Sequence, residues 1–197
     1  MTYSTREEWL NAASTGLAPL FTSVGHGLGV PVRLSMGFPS VRALSLKKRT
    51  VGECWGTEAS SDGHAQVLVS PLLDDPLEIL GVVAHELGHA VLGSKIGHRR
   101  PFAKLMVDLG LVGKATATEP GPIFIERTEQ LLYDLGSLPH VRLDPGFRLK
   151  KKDGTRQLKC WCDDCGYVAR TSQKWLDAAG PPICPACREV MLTGDLG

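Results

Sequence analysis

The sequence predicts an α+β chain in two parts: a mixed helix-and-sheet domain over residues 1–146 and a small cysteine-rich module over residues 147–197. Three observations carry this prediction. Apolar residues recur at helical spacing in several separate stretches of the first part. Short apolar runs punctuated by Gly and Pro lie between the first two of them. Residues 147–197 hold five of the six cysteines, four of them in two tight pairs.

The elements follow in chain order. Residues 4–21 read as a helix, with Ser4 and Glu7 as a capping box and Trp9, Ala13, Leu17 and Leu20 as its apolar stripe. Short strands are expected at residues 30–34, 51–55 and 65–70. The last of these, with Gln66-Val67-Leu68-Val69, is expected to wall a cleft and offer an edge to an extended substrate. A second helix starts at Asp75-Pro76-Leu77-Glu78, with Asp75 as N-cap, Pro76 at N1 and Glu78 closing a capping box at N3. Leu77, Leu80, Val83, Ala84, Leu87 and Val91 carry its period, and Gly93 stops it. A third runs from Pro101 to a stop at Gly110, with Phe102, Leu105, Met106 and Leu109 on its apolar face. Residues 114–122 read as a loop, 123–135 as a helix and 137–147 as a linker. A short helix is expected at residues 172–179, ending at Gly180.

His85-Glu86-Leu87-Gly88-His89, an H-E-x-x-H motif, lies well inside the second helix. Residues i and i+4 share a helix face, so two imidazoles can meet one metal ion with a carboxylate beside them. A catalytic zinc commonly takes three protein ligands and keeps one position for water. His98 follows a chain reversal between Gly93 and Gly97 and is the first candidate for the third ligand. Glu129 and Glu126, on the following helix, are the alternatives. The longer H-E-x-x-H-x-x-G-x-x-H pattern is excluded, because Leu92 and Lys95 occupy its last two fixed positions.

Cys162 and Cys165, then Cys184 and Cys187, form C-x2-C pairs with 18 residues between them, which is zinc-ribbon spacing. Four thiolates suit a closed, structural zinc, and metal would replace the core that so small a module cannot build. Cys160, two residues before Cys162, competes with it as a ligand. Cys54 reads as a buried residue. Trp161, Tyr167 and Trp175 are expected to pack around the knuckles.

The chain has 197 residues, 43% of them hydrophobic, and a net charge of +1. No apolar run approaches the ~20 residues needed to cross a bilayer, and residues 1–10 hold no signal-peptide core. A cytoplasmic setting is therefore expected, where thiols stay reduced and free for zinc. The charge is uneven. Residues 1–146 carry 13 Lys and Arg against 15 Asp and Glu, and residues 147–197 carry 9 against 6. Lys150, Lys151, Lys152 and Arg156 are candidate phosphate contacts, and the bland alternative is a solvated hairpin turning at Asp153-Gly154.

His85-Glu86-Leu87-Gly88-His89, then Gly97-His98-Arg99-Arg100-Pro101-Phe102, then the C-terminal cysteine pairs, resemble the SprT-like family, to which the Spartan proteases belong. The resemblance covers about residues 25–190. Arg99 stands where that family often has glycine. The resemblance implies a zincin-like metallopeptidase domain and His98 as the third zinc ligand. It also implies protein substrates bound or crosslinked to DNA, with the ribbon helping to recruit DNA. The expected function is thus peptide hydrolysis with one catalytic and one structural Zn²⁺. His85, His89 and His98 would hold the first ion, and Glu86 would move the proton. Tyr133, His140 and Arg99 are candidates to stabilise the oxyanion. The alternative is a nucleic-acid-binding regulator in which the ribbon acts and the histidine site is not catalytic.

Overall fold

The computed structural model describes residues 3–45, 47–147 and 157–194. The chain divides into two compact units, Met1–Pro145 and Gly146–Gly197, and both mix helices with small sheets. No helix among the described residues is long and apolar enough to cross a membrane.

The first unit begins with helix α1 (Arg6–Ser23). Its cap falls one residue later than the sequence suggests. Thr5, not Ser4, accepts the N3 amide, and Glu8, not Glu7, closes the box. Trp9, Leu10, Ala13, Leu17 and Phe21 form its buried stripe. Strands β1 (Val32–Met36), β2 (Gly52–Trp55) and β3 (Ala65–Val69) follow. They make one sheet in the order β1-β3-β2. β1 runs parallel to β3 with Val32 opposite Ala65, and β2 runs antiparallel to β3 with Gly52 opposite Val69.

This order corrects one expectation. β3 is the central strand, hydrogen-bonded on both sides, so it cannot receive an added strand. The sheet's edges are β1 and β2.

Helix α2 (Pro76–Leu92) packs against β2, β3 and α1. Asp75 Oδ1 accepts from the Glu78 amide at 2.7 Å, which satisfies one orphan donor of the first turn. Pro76 follows at a position that needs no amide hydrogen. α2 is buried on most of its circumference: Ile79, Leu80, Val83, Ala84 and Leu87 join Trp9, Phe21, Val67 and Val69 in one core.

Helix α3 (Arg100–Leu109) lies against α2, and its four buried residues are Phe102, Leu105, Met106 and Leu109. Gly110, at φ 92°, gives it the left-handed stop its sequence called for. Residues 114–122 are not simply a loop. Strand β4 (Leu111–Lys114) pairs antiparallel with β5 (Ala117–Pro120), Lys114 opposite Ala117. The hairpin is mostly exposed and lacks alternating apolar residues, so periodicity could not reveal it. Helix α4 (Pro122–Leu135) completes the unit and packs on α1.

The second unit holds strands β6 (Gln157–Trp161) and β7 (Val168–Ser172), helix α5 (Gln173–Ala179) and strand β8 (Leu192–Gly194). The sheet order is β7-β6-β8, antiparallel throughout. Its small core is Cys160, Cys162, Cys184 and Met191, with Ala169 and Leu176 beside them. Tyr167 and Trp175 do not pack into that core as expected; both are exposed.

Replacing Asp75 by Ala should cost about 1 kcal/mol of stability, the usual loss of an N-cap side chain. A lower melting temperature for the metal-free variant, read by circular dichroism, checks this.

Candidate metal centres

α2 presents His85 and His89 one turn apart, as i, i+4 spacing requires. The third histidine arrives by a tight reversal. α2 ends at Gly93 (φ 82°), a single 3-10 turn spans Ser94–Ile96, and Gly97 follows at φ 54°, ψ −145°. That last conformation belongs essentially to glycine. The Ser94 hydroxyl is tied to the Glu58 carboxylate, which anchors the turn to the segment between β2 and β3. His98 then returns over the helix end. Its Nε2 lies 3.2 Å from His89 Nε2 and 3.4 Å from His85 Nε2.

These distances test the donor set. A tetrahedral zinc with bonds of about 2.0–2.1 Å to nitrogen spaces its ligand atoms about 3.3 Å apart. His98 Nε2 already stands at that spacing from both His85 and His89, and the three ligand atoms all lie within 4.8 Å of one another. The nitrogens are also in the right state. Burial, then the neighbouring His89 and His98, push His85 down to about 3. Burial and His98 push His89 down to about 4, and burial lowers His98. All three imidazoles are therefore neutral near pH 7, as a metal requires. Glu126 and Glu129, the alternative third ligands, are exposed on α4 and do not join the group.

Phe102 holds the three rings together. It is fully buried and stacks on His89 with centroids 4.0 Å apart. It meets His85 edge-on at 4.9 Å and His98 edge-on at 5.2 Å. The sequence marks Phe102 both on an apolar stripe and at the end of the Gly97–Phe102 segment that carries the family resemblance. A second neighbour, Thr118 of β5, was missed altogether. Its Oγ1 is 2.8 Å from His85 Nδ1.

Glu86 faces the sheet side of the helix and is buried. A Cβ added to Gly52 of β2 would collide with its carboxylate and stand 2.7 Å from Val82 Cγ1. Gly52 thus lets the edge strand pass close over the motif. Burial, then the negative charge of Glu53, raise Glu86 to about 8. On the same strand, burial, then Glu86 and Glu58, push the Cys54 thiol up to about 12. The oxyanion candidates find no support in their contacts. Tyr133 is 82% exposed on α4, and His140 Nε2 stands 3.2 Å from the Pro71 carbonyl oxygen. Arg99 is exposed beside His98.

The second centre gathers Cys162, Cys165, Cys184 and Cys187, whose sulfurs all lie within 4.8 Å of one another. Cys165 Sγ and Cys184 Sγ are 3.6 Å apart, against about 3.8 Å for sulfurs about 2.3 Å from a tetrahedral zinc. Both pairs make the same knuckle. Gly166 N donates to Cys162 O at 2.9 Å, and Arg188 N donates to Cys184 O at 2.9 Å. Gly166 (φ 72°) and Arg188 (φ 64°) occupy the same left-handed place. Backbone amides of Cys187 and Ala186 draw the Cys184 thiol down to about 7. The Cys160–Cys162 ambiguity is thereby resolved: Cys160 sits buried on β6 opposite Ala169, outside the cluster. Both donor sets fit zinc but do not identify it. Lys150, Lys151, Lys152 and Arg156, and the turn at Asp153-Gly154, lie outside the described residues.

No protein-family model, curated protein or solved structure matches the chain.

Two predictions follow from these centres. The folded pKa of Glu86 is raised above its ordinary 4.5. Its stabilising contribution is therefore complete below pH 4.5 and is lost as pH rises through about 8. His85, lowered from 6.5 to about 3, acts oppositely: its contribution is complete above pH 6.5 and is lost as pH falls towards 3. Metal-free Glu86→Gln should hence melt higher than metal-free wild type at about pH 8.5, with the gap narrowing towards pH 4.5. A pH-independent gap in calorimetry would remove burial of Glu86 as its cause. Chelation should also disperse the order of the cysteine module while leaving the core around Trp9. Amide NMR of the full chain reads both units separately.

Proposed function

We propose that this chain is a metal-dependent peptidase with a zincin-like catalytic domain, of the type its motifs resemble in the SprT-like family. The observation that carries the reading is the meeting of three neutral imidazole nitrogens, with His98 Nε2 at 3.2 and 3.4 Å from the other two, on a helix that also carries the buried Glu86 carboxylate. A purely structural metal site has no use for that carboxylate. His85, His89 and His98 would hold the ion, and the ion would supply Lewis acidity for water activation and carbonyl polarisation.

The remaining roles belong to the chain. Glu86 takes the proton of the attacking water and passes it to the leaving amine. Its burial beneath Gly52 raises its affinity for that proton. β2 is the edge strand beside Glu86, so an extended peptide adding to β2 would lie along the carboxylate. The four-cysteine module fits a structural zinc. In the SprT-like reading it recruits DNA or another partner, the substrates are DNA-associated proteins, and the setting is cytoplasmic.

One observation favours the regulator reading. Trp175 and Tyr167 are exposed, with Lys174 Nζ 5.5 Å from the Trp175 ring centroid. Such surfaces can stack on bases.

The deciding experiment is cleavage of a DNA-binding protein by zinc-loaded wild type and Glu86→Gln, with and without single-stranded DNA. We expect cleavage by wild type and a loss of about 10²- to 10⁴-fold in the variant, the usual contribution of a general base, with metal content unchanged. Equal rates would remove the catalytic role of Glu86. DNA binding without cleavage by a fully loaded wild type would favour the regulator.

A further inference from the structure

We infer that Thr118, through the β4–β5 hairpin that carries it, is the positioning residue for the first histidine of the metal centre. The inference rests on the metal-centre reading of His85, His89 and His98 and needs no peptidase activity.

An imidazole that offers Nε2 to a metal carries its remaining proton on Nδ1. That proton needs an acceptor, and the acceptor fixes how the ring is turned. In His85 the Nε2 lies 3.4 Å from His98 Nε2, and Nδ1 faces Thr118 Oγ1 at 2.8 Å. Nδ1–H therefore donates to the hydroxyl oxygen. The three histidines are held differently. His89 lies flat on Phe102, and His98 is carried by the turn between Gly93 and Gly97. His85 meets Phe102 only by its edge. Its rotation about the Cβ–Cγ bond therefore depends on the Thr118 bond.

The hairpin is built to deliver that hydroxyl. Thr118 lies opposite Gly113, so no cross-strand side chain competes with it. Two residues on, Pro120 seats against Gly81 of α2, one turn before His85. A Cβ at Gly81 would stand 2.8 Å from Pro120 Cγ. Contact between α2 and β5 thus sets the height of Thr118 over the histidine. Threonine also differs from a carboxylate acceptor. It orients the ring without adding negative charge, so the ligand set remains three neutral nitrogens.

The test compares full-length wild type, Thr118→Val, Thr118→Ser and His85→Ala. Zn²⁺ affinity is read by chelator competition, and the Co²⁺-loaded proteins are read by visible absorption. Valine keeps the branched shape and β-propensity of threonine but cannot accept a hydrogen bond. We expect Thr118→Val to weaken zinc about 10- to 100-fold, as loss of a ligand's hydrogen-bond partner does, and to alter the Co²⁺ bands. Thr118→Ser should restore both. Gly81→Ala, which keeps every ligand and the hydroxyl but displaces Pro120, should weaken zinc in the same direction. Unchanged affinity and spectrum in Thr118→Val overturn the inference, and so does equal weakening in the valine and serine variants. If His85→Ala binds the same number of zinc ions as wild type, the metal-centre reading itself fails, and this inference fails with it.

Discussion

Three imidazoles must approach one another without any of them becoming charged, and the first unit is arranged around that constraint. Protonated, the rings would repel at 3.2–3.4 Å. Burial on α2 keeps His85 and His89 neutral, and the fully buried Phe102 gives all three a common apolar surface. The core serves the same end. α2 is held by the sheet and α1 on one side and by α3 and β5 on others, so the two helical histidines have little freedom to separate.

The same burial works against stability at Glu86. A carboxyl under the backbone of an edge strand, near Glu53, favours its protonated form. Buried ionisable groups cost free energy unless paired. The turn in the same region depends on glycine: Gly97 sits in a conformation that other residues avoid, and the turn it ends is fastened by Ser94 to Glu58.

The second unit meets its stability problem differently. Among its described residues the buried core is three cysteines and one methionine, with Ala169, Leu176 and Cys187 beside them, too little apolar area to hold a fold of this size. Two knuckles built from the same backbone hydrogen bonds bring four sulfurs together. Metal coordination is the interaction able to replace the missing core. Tyr167 and Trp175 remain on the surface.

Local spacing wrote much of this in the sequence. H-E-x-x-H on a helix puts two histidines on one face whatever surrounds it, and C-x2-C makes a knuckle from its own backbone. The caps at Asp75 and Gly110 and the stops at Gly93 and Gly180 were equally legible, because each depends on a few neighbouring residues. Tertiary structure decided what depends on distant chain segments. It placed His98, rather than Glu126 or Glu129, beside the pair. It put β3 in the middle of the sheet and β2 at the edge over Glu86. It brought Thr118, from a hairpin with no apolar period, to His85 across 33 residues of chain. Hydrophobic period and turn chemistry encode an element's own conformation, but the order of strands and the approach of one element to another are set by how the whole core closes.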